Sequence, residues 1–293
     1  MATASYDAFY QHQPLLFSIA YRMVGTVADA EDIVQEVLID WYPKVEQELD
    51  IESQKSYLAA MVIRKSIDHL RHAYVQRESY FGTWLPEPIV CSDPHEYAER
   101  LVLKDNVSLA WMLLLERLSP LERAIYILRT AFDLDYKTIA EYVGKQATNC
   151  RKIMQRAQQR ITEGKPQYDI SDEQHRCVVQ EFLRAANSGD IDALLDTLLP
   201  GSTFISDGGG KIAAAVRKVH GADRVGRFML GIRKKGPHPL HYQIVVVNGD
   251  YGILAWDEKS IQYVMAMAFR DGKIATVYSV RNPDKLRHIH LPQ

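Results

Sequence analysis

The sequence predicts a multidomain chain, with two all-α domains followed by an α+β domain. Three observations carry that prediction. Apolar residues recur at helical spacing through residue 78 and again from 96 to 163. Prolines and glycines gather in 79–95 and at 164–166. After the second break, two amphipathic helices give way to short alternating runs joined by Asn-Gly and Asp-Gly. A chain of 293 residues exceeds one ordinary core. The boundaries fall at 1–78 and 109–165 for the helical domains, 79–108 for a linker and 170–293 for the α+β domain.

Hydrophobic residues at 47% and charged residues at 25% describe a globular, soluble chain. The first twenty residues have neither a basic start nor a sustained apolar core, so no secretory leader is expected. No apolar run approaches a membrane span, and no membrane partner is expected. Cys91, Cys150 and Cys177 lie far apart and form no CxxC or metal-finger spacing, which favours a reducing cytoplasm. Neither cofactor nor metal is expected.

The net charge of −2 hides a strong segregation. Between Asp29 and Glu52 the acidic residues face only Lys44. From Tyr57 to Arg77 the bases Arg64, Lys65, Arg71 and Arg77 outweigh Asp68, and 145–165 repeats that basic bias. The acidic surface suits a basic partner and the basic ones suit nucleic acid.

In the first domain, Leu16, Ile19, Ala20 and Met23 mark a first helix, which Gly25 ends. A second begins near Asp29, where acidic residues suit the positive end of the helix dipole, and carries Ile33, Val34, Val37, Leu38 and Trp41 inward. In D-A-E-D-I-V-Q-E-V (Asp29–Val37), Asp29, Asp32 and Glu36 share another side, with Gln35 near its edge. That side is either a docking face or a solvated one. The helix Ser56–Glu78 buries Leu58, Met61, Val62 and Leu70. It offers Arg64, Lys65, Arg71, His72 and Arg77 with Tyr74 among them, groups that bind phosphates and stack on unpaired bases.

The linker opens on G-T-W-L-P-E-P (Gly82–Pro88). Its prolines stop a helix, and its apolar Trp84 and Leu85 require a surface to pack against.

The second helical domain holds the strongest local pattern, Tyr136–Gln155. Two steeply crossing helices need a small residue where they meet, which Ala140 supplies, and a turn residue that tolerates left-handed geometry, which Gly144 supplies. Ile139 and Val143 point inward, as do Cys150, Ile153, Ala157 and Ile161. The opposite face presents Thr148, Asn149, Arg151, Lys152, Gln155 and Arg156, the inventory of a recognition helix.

In the last domain, helices at 172–186 and 190–198 precede strands, with hairpin turns at Val245–Asp250 and Arg270–Lys273 and an alternating strand at Gln262–Phe269. This is a mainly antiparallel α+β unit.

The set resembles the extracytoplasmic-function sigma factors, which carry sigma regions 2 and 4 without region 3. D-A-E-D-I-V-Q-E-V is similar to region 2.2, and R-K-S-I-D-H-L-R-H to the helix of regions 2.3–2.4. L-S-P-L-E-R-A-I-Y-I-L-R (Leu118–Arg129), the helix-turn-helix and R-A-Q-Q-R (Arg156–Arg160) are similar to region 4. W-L-P-E-P (Trp84–Pro88), N-C-R (Asn149–Arg151), D-G-G-G-K (Asp207–Lys211) and N-P-D-K-L (Asn282–Leu286) resemble the subgroup with a C-terminal SnoaL-like extension. That extension has the cone fold of the nuclear transport factor 2 superfamily.

The resemblance implies roles. Asp32, Gln35 and Glu36 would dock on the polymerase β′ coiled coil, and the core polymerase β flap would be a further contact. Arg64, Asp68, Arg71 and His72 would meet the opened −10 element, with Asp68 orienting neighbouring arginines. Asn149, Arg151, Lys152 and Arg156, with Thr148 and Gln155 beside them, would read the −35 element. Lys65 and Gln158 depart from the subgroup's usual residues and leave the promoter sequence open. The linker of Trp84, Leu85, Pro86, Glu87 and Pro88 would be either a latch on the C-terminal domain or a cap on region 2.

Some SnoaL-like domains are cyclases that use a carboxylate as acid and base. Asp207 is the candidate here, and Asp207, Lys211 and Trp256 with His241, Tyr242 and Tyr278 make a candidate pocket for a small-molecule ligand. Asp207–Lys211 also reads as a plain glycine turn, and it is not a Walker loop. No second catalytic partner stands at a telling spacing, so a regulatory domain is expected rather than an enzyme. A ligand-responsive repressor without polymerase is a further alternative. His288 and His290 could hold metal, but read more simply as a solvated tail.

Overall fold

The computed structural model describes residues 2–46, 53–94, 96–97, 108–162, 171–235 and 239–291. The chain divides into two compact units. One holds Met1–Glu78, Ala98–Asp105 and Leu114–Lys165, and the other Ser79–Tyr97, Asn106–Leu113 and Pro166–Gln293. Most of 96–108, where the sequence predicts the second helical run to begin, lies outside the described residues, as does the break at 164–166.

In the first unit, α1 (Ala2–Val24), α2 (Val27–Glu46) and α3 (Gln54–Glu78) pack together. Gly25 makes the first turn at φ 80°, a value that favours glycine. Leu16, Ile19, Ala20 and Met23 are buried, as are Ile33, Val34, Val37, Trp41, Leu58, Val62 and Leu70. Met61 and Leu38 are only half-buried.

After the short α4 (Leu109–Leu115), helix α5 (Pro120–Thr130) starts on a Ser119–Glu122 capping box with Pro120 in its first turn. Helices α6 (Tyr136–Val143) and α7 (Ala147–Thr162) follow. Arg123 of α5, only 2% exposed, is held by an ion pair with Glu116 and by its Nε donating to the Arg22 carbonyl of α1 at 3.1 Å. The second set of helices therefore packs on the first, with α5 against α1 and α6 against α3.

The second unit is a seven-stranded sheet in the order β1-β4-β5-β6-β7-β2-β3. Its strands are β1 (Val90–Cys91), β2 (Leu198–Asp207), β3 (Val219–His220), β4 (His241–Val247), β5 (Asp250–Trp256), β6 (Ile261–Arg270) and β7 (Lys273–Val280). Every pairing is antiparallel except β2 with β7. Asn248-Gly249 and Asp271-Gly272 adopt positive φ at both positions, closing the two predicted hairpins.

Alternation along the strands gives two apolar faces. Phe204, Met265, Met267, Phe269 and Val277 meet α8 (Asp172–Ser188), α9 (Ile191–Thr197) and α10 (Ala222–Lys235). Ile205, Val264, Ala266, Tyr278 and Val280 make the other face, where Leu85, Leu109 and Leu286 cover them. The sequence assigns Leu85 to a linker. Here that segment is part of the domain, and Val90 and Cys91 pair with Val247 and Val246 as its edge strand. A two-residue strand is too short to leave an alternating pattern, which is why the sequence does not announce it.

Candidate nucleic-acid interface and linker anchorage

Helices α6 and α7 pack together on either side of the Gly144 turn. Asp135 caps α6 by accepting from the Thr138 amide at 2.8 Å, and Gly144 ends it in the left-handed region at φ 65°. Ile139, Ala140, Cys150, Ala157 and Ile161 are buried. The inward stripe of α7 runs through Met154, 2% exposed, whereas Ile153 is half-buried and Val143 likewise. Burial pushes the Cys150 thiol up, away from a reactive thiolate.

Thr148, Asn149, Arg151, Lys152, Gln155 and Arg156 all stand exposed on the opposite side of α7. The Arg151 guanidinium lies 5.4 Å from the Tyr136 ring centroid, which limits its freedom without hiding it.

On α3, Arg64, Asp68, Arg71 and His72 are exposed. Asp68 accepts from Arg71 Nη1 at 2.8 Å, and its carbonyl lies 2.8 Å from His72 Nδ1. Arg64 points elsewhere, donating from Nε to the Tyr142 carbonyl at 3.2 Å and from Nη2 to the Glu141 carbonyl at 3.4 Å. These carbonyls end α6, where the negative end of the helix dipole suits a cation. The side chains of Tyr74 and Arg77 lie outside the described residues.

On α2, Asp32, Gln35 and Glu36 are exposed while Ile33 and Val37 are buried. Lys65 of α3 bridges Glu36 at 3.0 Å and Asp40 at 2.9 Å, and His69 of α3 lies 3.4 Å from Asp29, so α3 sets basic groups against the acidic face. The bond to Asp40, opposed in part by burial, raises the lysine above its ordinary range.

The linker is anchored where three sequence motifs meet. Asp207, fully buried, accepts from Lys285 Nζ at 2.7 Å, the Leu85 amide at 2.8 Å, Tyr80 Oη at 2.6 Å and the Gly209 amide at 3.0 Å. Lys285 Nζ also donates to the Leu85 carbonyl and sits 4.3 Å from the Trp84 ring centroid. Asn282 Nδ2 donates to Tyr80 Oη at 3.0 Å. Further along, His288 Nε2 lies 2.8 Å from the Pro88 carbonyl, and Ile89 exchanges bonds of 3.1 and 2.9 Å with Asn248. Leu85, Pro86, Glu87 and Pro88 are buried and Trp84 is half-buried. Leu85 thus packs on the sheet of the C-terminal domain.

The glycine turn after Asp207 has a steric reason. A Cβ on Gly208 would meet the Ile212 carbonyl, and one on Gly209 would meet the Asn282 side chain. The missed partners are Tyr80 and Lys285. Lys285 was legible only as the fourth residue of N-P-D-K-L, and Tyr80 carried no signal.

Asp207, Lys211 and Trp256, expected to share a pocket, stand apart from the cavity of the C-terminal domain. A cavity of about 410 Å³ opens on the other face of the sheet, under α8 and α10, and none of these three lines it. Strand alternation is the reason: Phe204 and Ser206 of β2 line the cavity, so Ile205 and Asp207 face away. Lys211 is instead ion-paired with Asp284 at the surface, and Trp256 stacks on His241 at 5.6 Å. Tyr242 does line the cavity, and Tyr278 belongs to the opposite face. Among the described residues there is no cluster of three or more metal-ligating side chains.

The described chain is thus two sets of helices followed by a C-terminal α+β domain. The chain matches the model of Sigma-70 region 2 over residues 8–74 and that of Sigma-70 region 4 over 108–161. It is 35% identical to the ECF RNA polymerase sigma factor SigJ of Mycobacterium tuberculosis, over 97% of this chain and 93% of that protein. It is 33% identical to the probable ECF RNA polymerase sigma factor SigI of the same organism, over 95% and 93%. The crystal structure of M. tuberculosis SigJ superposes with a TM-score of 0.77, covering 97% of this chain and 98% of that one. The chain belongs to the extracytoplasmic-function RNA polymerase sigma factors.

Proposed function

We propose that the chain binds core RNA polymerase and directs promoter-specific transcription initiation, under control of its C-terminal domain. The observation that carries this reading is α7, whose six polar residues stand exposed on a buried apolar stripe fixed by Gly144. On this reading α7 reads the −35 element, and Arg71, His72 and Arg64 of α3 meet the opened −10 element, with Asp68 holding Arg71. Asp32, Gln35 and Glu36 dock on the β′ coiled coil, and region 4 on the β flap.

Two features support control. Arg64 is engaged by α6, so part of the −10 surface is occupied by region 4 itself. The segment joining regions 2 and 4 is held on the C-terminal sheet through Asp207 and Lys285. Two linked DNA-reading surfaces bind together only when their spacing matches the promoter, so a docked linker regulates by fixing that spacing.

The test is run-off transcription from a pool of promoter fragments, using core polymerase with and without the chain. Selective transcripts that depend on the chain are expected. Failure to bind core polymerase in a pull-down would leave a DNA-binding repressor instead.

A further inference from the structure

The cavity of the C-terminal domain has an unusual chemical balance. Phe182, Phe204, Phe228 and Met265 give it apolar, largely aromatic walls. Its charged groups are Arg233 and Arg281, and among the described residues no carboxylate lines it. Arg233 is satisfied, with Nη1 donating to the Ala186 carbonyl at 2.9 Å and to Asn187 Oδ1 at 2.6 Å.

Arg281 differs. Its Nη1 donates to the Ala213 carbonyl at 2.7 Å, while its Nε is buried and has no partner among the described residues. Burial holds this guanidinium below the usual arginine range. Ser279 lies two residues earlier on β7, on the same side of the strand. It is 1% exposed, lines the cavity, and its Oγ also has no partner among the described residues. On strands of the same sheet, Tyr263 of β6 and Tyr242 of β4 also line the cavity, and burial, then the Tyr242 hydroxyl, raises the Tyr263 phenol. Buried donors without acceptors are costly, and native interiors avoid them. A volume of about 410 Å³ lies in the range that holds small organic ligands, roughly 300–1,000 Å³.

We infer that this cavity binds a small aromatic monoanion, with its acid group on Arg281 and Ser279 and its ring against Phe182, Phe204 and Phe228. An anion supplies the acceptors that both groups lack and the countercharge that the site lacks. A flat ring matches the aromatic walls. A basic ligand would bring cation to cation, and a sugar-like one would leave its hydroxyls against phenylalanine. The inference goes beyond the transcription reading and stands on the C-terminal cavity alone.

The test uses the full chain and two probes of nearly equal shape, 2-naphthoate and its uncharged amide. Calorimetry should give naphthoate at least tenfold tighter binding than naphthamide. Arg281→Lys should keep that preference and Arg281→Gln should remove it. Hydrogen exchange on the unmodified chain should slow in β7 and α10 with naphthoate, and stay unchanged in 54–78, so the site is located even if a variant unfolds. Equal affinity for acid and amide, binding of neither, or protection elsewhere would overturn the inference.

Discussion

The ammonium of Lys285 lies 2.7 Å from the carboxylate of Asp207, and their side chains are 6% and 0% exposed. A buried pair of this kind is tolerable only when both ends are otherwise satisfied. Here the remaining bonds come from the linker, through Tyr80, the Leu85 amide and the Leu85 carbonyl, and from the Gly209 amide. The charge pair is therefore completed by a segment more than a hundred residues earlier in sequence.

Lys285→Met should cost about 3–5 kcal/mol, because it leaves Asp207 buried without its counterion. Chemical denaturation measures this. Adding Asp207→Leu should recover part of the loss, and a double variant no better than the single one would show that the pair acts through something other than charge.

Leu85 is fully buried among Ile205, Val264 and Leu286, so Leu85→Ala should cost roughly 2–5 kcal/mol. The loss belongs to the C-terminal unit. Exchange should quicken at β1 and β4 while amides of α1 and α3 keep their protection, and promoter-directed transcription should change in the same variant.

Arg151→Ala or Arg156→Ala should weaken −35 binding by roughly 1–3 kcal/mol where the lost contact is to a base. Both side chains are exposed, so the melting temperature should hold. Electrophoretic mobility shifts against matched and mismatched −35 sequences separate base reading from phosphate contact, which would weaken all sequences alike.

Asp32→Lys with Glu36→Lys should lower affinity for core polymerase in a pull-down. Glu36 is exposed and bridges Lys65, and such surface pairs contribute about 0–1 kcal/mol, so folding should survive. Unchanged polymerase affinity would remove this face from the docking surface.

Alkali supplies a further test. Burial, then the hydrogen bond to Asp207, raises the Tyr80 phenol above the ordinary tyrosine value of about 10. The unfolded chain releases that proton first, so the native state binds more protons above pH 10 and stability falls as pH rises toward the folded value. Below pH 10 this contribution is fully present. Tyr80→Phe should flatten the alkaline decline seen in denaturation midpoints.

What the sequence revealed follows from range. Gly144, Asn248-Gly249 and Asp271-Gly272 specify local geometry, and each is where it was expected. The exposed face of α7 was legible for the same reason, since helical spacing alone sorts it from the core. Asp207 was found as a singular residue but placed in the wrong compartment. Alternation separates Phe204 and Ser206 from Ile205 and Asp207, yet does not say which set a layer of helices will cover. The partners Tyr80 and Lys285 are joined by tertiary packing over 127 and 78 residues, a distance at which no local pattern operates.

The edge strand Val90–Cys91 and the buried Leu85 have a consequence for how such a chain is inherited. A stop codon after the second helical domain would not release a working two-part factor from its appendage. It would strand an apolar linker in water and delete the surface on which that linker is folded. The extension and the linker must therefore be gained, lost or exchanged together. A hybrid that joins the first 165 residues of one homologue to the remainder of another tests whether its two parents share a compatible seam.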